Sequence, residues 1–274
     1  MNFFTTDRIT ESTTQIRDIT GVFSYLVEGN QKACLIDCGT GTGDIKQFVE
    51  SLTNLPIFLV LTHGHCDHAG GAAYFDDVYL SEADWDLVEY HASMDIKTDY
   101  VNYCSPDIYK KLTGDDFCPV RTNGYKPLQN GQIFDLGGIK LEAVAVPGHT
   151  QGMTCILNEK ERWILFGDAC NPSVFLWGEG SLSVEEYRES LCNLKKYEER
   201  YDTVLMSHGT TEVGKKVLDG MISVCDDIIC GRADAQPFQF MEHSLKLAKV
   251  VNEQGERIDG GLGNIVYRPE KIFR

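Results

Sequence analysis

The sequence predicts an α/β protein built as a four-layer α/β/β/α sandwich, and two observations carry that prediction. A unit of β-hairpin, helix and strand occurs twice along the chain, and the two copies correspond motif by motif. LIDCG (35–39) corresponds to LFGDA (165–169), and LVLTHG (59–64) corresponds to TVLMSHG (203–209). Two such units bury their apolar faces as two sheets packed face to face, with the helices outside.

The first copy of the unit lies in the N-terminal third of the chain. Apolar, β-branched runs bounded by turn residues predict strands at 21–29, 33–39 and 57–62. Between the second and third of these, segment 43–52 places four apolar residues at helical spacing. The expected order is therefore hairpin, helix, strand.

The second copy follows the same order further along the chain. Strands are predicted at 153–159, 162–168 and 203–208. The helix predicted at 183–201 begins with a Ser-x-x-Glu capping box, in which the side chains of both residues bond to backbone N–H groups of the first turn. Aspartate and histidine residues follow several of these strands, which places polar groups where the sheets end.

Two segments lie outside the repeat, at about 81–130 and 212–274. The first begins with a predicted helix at 81–93 and continues as an irregular stretch rich in tyrosine. The second holds a predicted helix at 212–231 and a closing β-hairpin in the tail. No linker composition separates these parts, so we expect a single domain over 1–274.

Composition and charge exclude several classes of function. The chain has 274 residues, 42% of them apolar, and its net charge is −16, from 25 Lys and Arg against 41 Asp and Glu. Such a surface repels phosphate backbones, so nucleic acid and anionic membranes are not expected partners, and a small-molecule substrate is. No apolar run approaches the roughly 18–20 residues of a membrane span. Ten cysteines without a C-x-x-C motif or an N-terminal signal pattern predict reduced thiols and a cytoplasmic location, and a homodimer is left open.

A metal centre is the chemistry that the polar motifs predict. THGHCDHAGG (62–71) brings four metal-capable side chains into one short loop, and VPGHTQG (146–152), LFGDA (165–169) and LMSHG (205–209) each supply one more. The seven are His63, His65, Asp67, His68, His149, Asp168 and His208. One histidine at a strand end is usually a hydrogen-bonded surface group, and H-x-H alone is weak. Four such groups crowded in one loop are costly without a cation, and imidazole with carboxylate suits Zn²⁺ and related ions.

These motifs resemble those of metallo-β-lactamase-fold hydrolases, in the order typical of that family, over roughly residues 20–80 and 130–215. The resemblance implies that His63, His65 and His149 hold one metal ion. It also implies that Asp67, His68 and His208 hold a second ion and that Asp168 bridges the two. By the same pattern, Asp37 fixes the ligand loop through hydrogen bonds, and Asp67 is the catalytic residue that orients the nucleophile and passes on its proton.

Single residues distinguish branches of this family. Zinc β-lactamases generally carry cysteine or serine where this chain has Asp168, which disfavours β-lactamase activity. Hydroxyacylglutathione hydrolases share both the loop and the bridging aspartate, so the resemblance implies the dinuclear branch. Residues 213–274 carry no distinctive glutathione-binding signature, so the assignment to those hydrolases stays open. The expected function is hydrolysis of an ester, thioester, lactone or phosphodiester bond by a metal-bound hydroxide, with two divalent ions, zinc first and iron or manganese as alternatives.

Two other functions remain open at this point. A mononuclear iron persulfide dioxygenase keeps much the same loop, and a non-catalytic metal-binding module is the third reading. Phe175 and Trp177, in NPSVFLWGEG (171–180), are predicted to line the substrate pocket; packing in the core or at a dimer interface is the alternative for both. The role of Cys66, inside the ligand loop, is left open.

Overall fold

Two β-sheets lie face to face in the computed structural model, which describes residues 1–274. The first sheet has seven strands in chain order: β1 (Phe4–Arg8), β2 (Thr13–Asp18), β3 (Phe23–Glu28), β4 (Ala33–Ile36), β5 (Ile57–Val60), β6 (Val78–Leu80) and β7 (Lys126–Pro127). The second has six, in the order β14 (Glu212–Val213), β13 (Thr203–Leu205), β11 (Trp163–Leu165), β10 (Thr154–Asn158), β9 (Lys140–Ala145) and β8 (Ile133–Asp135). The equivalent strand pairs of the two copies, β4–β5 and β11–β13, are both parallel.

Alternation of side chains along each strand builds the layers. In β4, Cys34 and Ile36 point into the core between the sheets, while Ala33 and Leu35 point outward. In β11, Trp163 and Leu165 enter the same central core from the opposite side. Because successive strand residues face opposite ways, both sheets are apolar on both faces and each needs a second, outer cover.

Helices supply these outer covers. The first sheet is covered by α1 (Ile45–Glu50), α2 (Cys66–Ala69) and α3 (Trp85–His91). The second is covered by α6 (Val184–Leu194) and α7 (Lys216–Ile229), whose buried residues recur every three to four positions. The four-layer α/β/β/α arrangement expected from the internal repeat is therefore confirmed.

Several boundaries differ from the sequence predictions. The helix predicted at 183–201 ends at Leu194 and continues as a 3₁₀ helix. The helix predicted at 212–231 begins only at Lys216, because Glu212 and Val213 pair with β13 as an edge strand.

The tail holds the predicted antiparallel pair, in which Leu247 faces Val266, but this pair is part of a larger sheet that the sequence did not predict. A third sheet holds β12 (Val174–Leu176), β17 (Ile265–Tyr267), β16 (His243–Leu247) and β15 (Gln236–Phe240), in that order. The tight hairpin joins β15 to β16, and β17 returns after a long loop to pair with β16.

The first part of the tyrosine-rich segment is helical where the sequence predicted an irregular stretch, and most of residues 110–125 is irregular as predicted. After α3 come α4 (Met94–Cys104) and α5 (Pro106–Tyr109), with α4 begun by the Ser93 side chain accepting from the Ile96 N–H. Only Lys97 and Val101 of α4 are buried, so its sequence lacks the apolar periodicity that predicts a helix. No helix in the protein combines the length and apolarity required to traverse a lipid bilayer.

Candidate metal centre

The predicted ligand loop leaves the end of β5 and turns at once into α2. His63 lies three residues beyond the strand, His65 precedes the first helical residue, and Asp67 and His68 lie within the helix. The Cys38 N–H donates to the His68 carbonyl at 2.8 Å, which ties the helix to the loop after β4. The backbone that carries the four donor side chains is therefore fixed by β5 at one end and by the hydrogen bond to Cys38 at the other.

Three histidines form the first donor group. His63 Nε2 lies 3.0 Å from His65 Nδ1, and His149 Nε2 lies 2.9 Å from the same atom. Metal–nitrogen bonds of about 2.0–2.1 Å in a tetrahedron place neighbouring donors roughly 3.3 Å apart. The spacing of these three nitrogens therefore fits a single divalent ion, and all three lie within 4.8 Å of one another.

Asp67, His68 and His208 form the second donor group. His68 Nε2 and His208 Nε2 are 3.2 Å apart, and Asp67 Oδ2 lies 3.6 Å from the first and 3.5 Å from the second. These distances again match the donor spacing of a tetrahedral site. His208 has a 33% exposed side chain while His68 is fully enclosed, so the open side of the centre lies at His208.

Asp168 lies between the two groups and faces both. Its Oδ2 is 3.6 Å from His149 Nε2 and 3.5 Å from His68 Nε2, and its Oδ1 is 3.4 Å from His208 Nε2. One carboxylate is thus within reach of ions in either group. All seven residues predicted from the sequence as metal ligands converge here.

The electrostatics of the cluster differ between the two groups. Burial, together with neighbouring histidines, holds the pKa of His63 and of His65 well below the ordinary value, so both imidazoles are neutral with a lone pair to donate. Burial also acts on His68 and His208, but the nearby carboxylates outweigh it and raise the pKa of both. Neutral imidazoles and carboxylates gathered at these distances match the donor preference of Zn²⁺ and other first-row ions.

Asp37 forms hydrogen bonds to the ligand loop, the role that the family resemblance implies for it. Fully buried at the end of β4, it accepts from the Thr62 N–H at 2.7 Å and the Thr62 hydroxyl at 2.8 Å. Its Oδ2 also lies 2.8 Å from His68 Nδ1, so the imidazole donates there and presents Nε2 to the second donor group. The backbone of Asp37 is left-handed (φ 59°), a conformation that aspartate and asparagine tolerate better than most residues.

Asp84 is an anchor that sequence reasoning missed. One of its oxygens accepts from the Gly64 N–H at 3.0 Å and the Thr150 hydroxyl at 2.7 Å, and the other accepts from the Gly152 N–H at 2.7 Å. It therefore joins the loop of His63 and His65 to the loop of His149. A Cβ at Gly152 would lie 2.6 Å from Asp84 Cγ, so only glycine permits this contact. Nothing in the acidic stretch around Asp84 distinguishes it beforehand.

Two further groups border the donors. The Tyr100 hydroxyl, from α4, donates to Asp67 Oδ2 at 2.8 Å. The ring of His91, which sequence reasoning left outside the site, lies 4.7 Å from the ring of His65. Cys66 is buried in α2 and belongs to neither donor group, and burial holds the pKa of its thiol well above the ordinary value.

Of the predicted pocket residues, Phe175 lies beside the centre on β12 and Trp177 directly follows that strand. The Phe175 carbonyl is 2.8 Å from His149 Nδ1, which fixes that imidazole with Nε2 toward the first donor group. Both rings are half-buried and pack against Phe240 of the β15–β16 hairpin, with ring centroids 4.9 and 5.8 Å away. Tyr103 of α4 contacts the same Phe240 ring at 5.7 Å. An aromatic surface therefore adjoins the donors, between α4 and the third sheet.

Known proteins resemble this chain in sequence and in fold. It is 27% identical over 162 residues to the acyl-coenzyme A thioesterase MBLAC2 of Homo sapiens, covering 52% of this chain and 55% of that protein. It is 29% identical over 179 residues to the atrochrysone carboxyl ACP thioesterase of Aspergillus fumigatus, covering 64% of this chain and 34% of that protein. The chain thus spans about half the length, or less, of these curated relatives.

Solved structures share the fold at low identity. A metallo-beta-lactamase from Pontibacter korlensis superposes with a TM-score of 0.59 at 16% identity, covering 80% of this chain and 97% of the other. The sec-alkylsulfatase Pisa1 from Pseudomonas sp. superposes with a TM-score of 0.64 at 14% identity, covering 83% of this chain and 42% of the other. The sequence model of the metallo-beta-lactamase superfamily matches residues 17–208, well over half of the chain. The protein belongs to the metallo-β-lactamase superfamily.

Proposed function

We propose that this protein is a hydrolase that uses two divalent metal ions to cleave thioesters. The observation that carries the proposal is the position of Asp168, whose carboxylate faces two separate groups of three donors. Two curated relatives named as thioesterases favour the thioester among the bonds that such a centre can cleave. The ions would be held by His63, His65 and His149 on one side and by Asp67, His68 and His208 on the other, with Asp168 shared.

When bound, divalent ions would acidify a coordinated water near neutral pH and polarise the carbonyl under attack. The protein's own contribution is to fix the donors. Asp37 and the Phe175 carbonyl each hold one imidazole by its Nδ1, so that Nε2 faces the centre.

Asp67 is the residue we assign to proton transfer. Its Oδ2 accepts from Tyr100, and 7% of the residue is exposed, so it lies at the boundary between the buried donors and the substrate side. A carboxylate there can hold the attacking water by a hydrogen bond and accept its proton. His208, more exposed than the other second-group donors, marks the side from which the substrate carbonyl approaches.

The test is a substrate panel with matched variants. Zinc-loaded protein is assayed on a thioester, an oxygen ester, a lactone and a phosphodiester, and we expect the thioester to give the highest kcat/KM. Asp168→Asn keeps the size of the side chain but removes its charge. It should lower kcat/KM by at least about 100-fold and lower the affinity for one of the two metal ions by at least about 10-fold. Asp135→Asn, an exposed aspartate on β8, is the control and should change neither. A panel with no thioester turnover, or an Asp168→Asn variant with normal turnover, would overturn the proposal.

A further inference from the structure

Arg268, which follows β17, has no carboxylate partner although the chain carries a large excess of acidic residues. Its guanidinium carbon stands 5.6 Å from the ring centroid of Trp177. Its Nη2 lies 3.4 Å from His243 Nδ1, and the Trp177 and His243 rings are 4.5 Å apart. All three side chains are half-buried, so the guanidinium is held on an aromatic platform with N–H groups unpaired by acid.

A second cation lies close by, also without an acidic partner. The Lys271 ammonium donates to the carbonyls of Gly178 and Ser181, in the loop directly after Trp177. Burial, and then the like charge of Arg268, lower the pKa of Lys271. Glu179 and Glu270 act on Lys271 in the opposite direction, but neither forms an ion pair with Lys271 or Arg268. The free N–H groups of Arg268 therefore remain available to an anion.

The cationic cluster of Arg268 and Lys271 lies within reach of the metal centre. Trp177 is two residues beyond Phe175, whose carbonyl bonds to His149. The Phe175 and Trp177 rings both pack on the Phe240 ring, so the two side chains lie on the same face. Two extended residues span roughly 7 Å. A substrate whose reactive carbonyl is at the donors can therefore extend over the Phe175 ring toward Arg268.

We infer that Trp177, His243 and Arg268 form a subsite for an anionic group of the substrate. A carboxylate or phosphate would accept two parallel hydrogen bonds from the guanidinium, whose orientation the Trp177 ring already restricts. The inference rests on the proposed thioesterase function, which places the reactive carbonyl of the substrate at the metal donors. Two sources share this chemistry: a phosphate on the thiol that leaves, or a carboxylate at the far end of the acyl group.

Calorimetry on the zinc-loaded protein separates these sources and tests the subsite. Desulfo-coenzyme A represents a phosphorylated thiol without its sulfur, and glutarate represents a dicarboxylic acyl group. We expect one of the two to bind, and Arg268→Gln to weaken that binding by about 10- to 100-fold, the range for loss of charge-assisted hydrogen bonds.

Lys32→Gln is the matched control. Lys32 also stands 5.6 Å from an aromatic ring, that of Phe58, and also forms no ion pair, but it lies at the opposite end of the first sheet, before β4 begins. Lys32→Gln should leave binding of either anion unchanged. The subsite is refuted if neither anion binds the wild-type protein, or if Arg268→Gln binds the anion as tightly as the wild type and Lys32→Gln do.

Failure of the subsite and failure of the thioesterase proposal are distinguishable. Hydrolysis of a neutral thioester, S-hexanoyl-N-acetylcysteamine, by the wild-type protein tests the reaction without any anionic group. Turnover of this ester with no Arg268-dependent anion binding rejects the subsite alone. Arg268-dependent binding with no turnover of any thioester supports an anion subsite and rejects the proposed reaction.

Discussion

Replacing Asp37 with asparagine tests how the second donor group is held. Asp37 Oδ2 faces both the Thr62 hydroxyl and His68 Nδ1, while Oδ1 accepts from the Thr62 N–H. Asparagine fits the left-handed backbone but offers only one acceptor oxygen. If its amide faces His68, it donates to Nδ1 and favours the tautomer with the proton on Nε2, the atom that faces the second metal position.

The size of the effect follows from these contacts. One buried donor loses its acceptor, or one imidazole takes the wrong tautomer, which costs about 1–3 kcal/mol in the free energy of unfolding of the metal-free protein. Loss of such an orienting partner weakens metal binding by about 10- to 100-fold. Calorimetric zinc titration should show this loss at one of two binding events, and urea unfolding measures the stability.

Asp18→Asn is the matched control for Asp37→Asn. Asp18 is also buried and also accepts several hydrogen bonds, from the Thr20 N–H at 2.8 Å and the Thr40 N–H at 3.0 Å among others, but it contacts no metal-donor side chain. The Asp18→Asn variant should lower the unfolding free energy by about as much as Asp37→Asn does and leave both zinc affinities unchanged. Normal zinc binding by Asp37→Asn, or equal weakening by both variants, would refute the reasoning.

Three further outcomes are expected. Asp84→Asn removes one acceptor from the contact between the two histidine loops. Calorimetry should therefore show weaker zinc binding at the group of His63, His65 and His149, whereas Asp37→Asn weakens zinc binding at the other group. Weaker zinc binding of Asp84→Asn at that other group would contradict this. Tyr100→Phe removes one hydrogen bond to Asp67, and should lower kcat more than it raises KM while the protein still binds two zinc ions; an unchanged kcat would mean that the contact does not serve the reaction. The pH profile of kcat/KM should rise through a single ionisation between about pH 6 and 8, and replacing zinc by manganese or cobalt should shift it; a profile fixed across the metals would assign that ionisation to a side chain.

Six of the seven donors were predictable because they follow predicted apolar strands in short, recognisable motifs, whereas His149 follows β9, which was not predicted. Strand periodicity identified β3, β4, β5, β10, β11 and β13, and the donors at their ends came together because the two copies of the unit pack sheet to sheet. The single-domain reading, by contrast, stays a prediction.

Contacts between distant segments were not predictable. Asp84 and Tyr100 belong to the segment between the two copies, and their roles depend on how α3 and α4 dock on α2. The strands β1 and β2 were missed because Thr5, Thr6 and Arg17 are polar and exposed, so no apolar alternation marks them. The aromatic packing of Phe175 on Phe240 joins residues 65 positions apart, which periodicity does not report.

The number of metal ions per chain tests the central claim most directly. The claim is that Asp168 joins two donor groups into one centre, and it can be measured by elemental analysis of protein purified without chelators and then saturated with zinc. About two ions per chain, falling to about one in Asp168→Asn, is the predicted result. One ion per chain in the wild-type protein at saturation would contradict the dinuclear account, and one iron with sulfur-dependent oxygen uptake would favour the dioxygenase in its place.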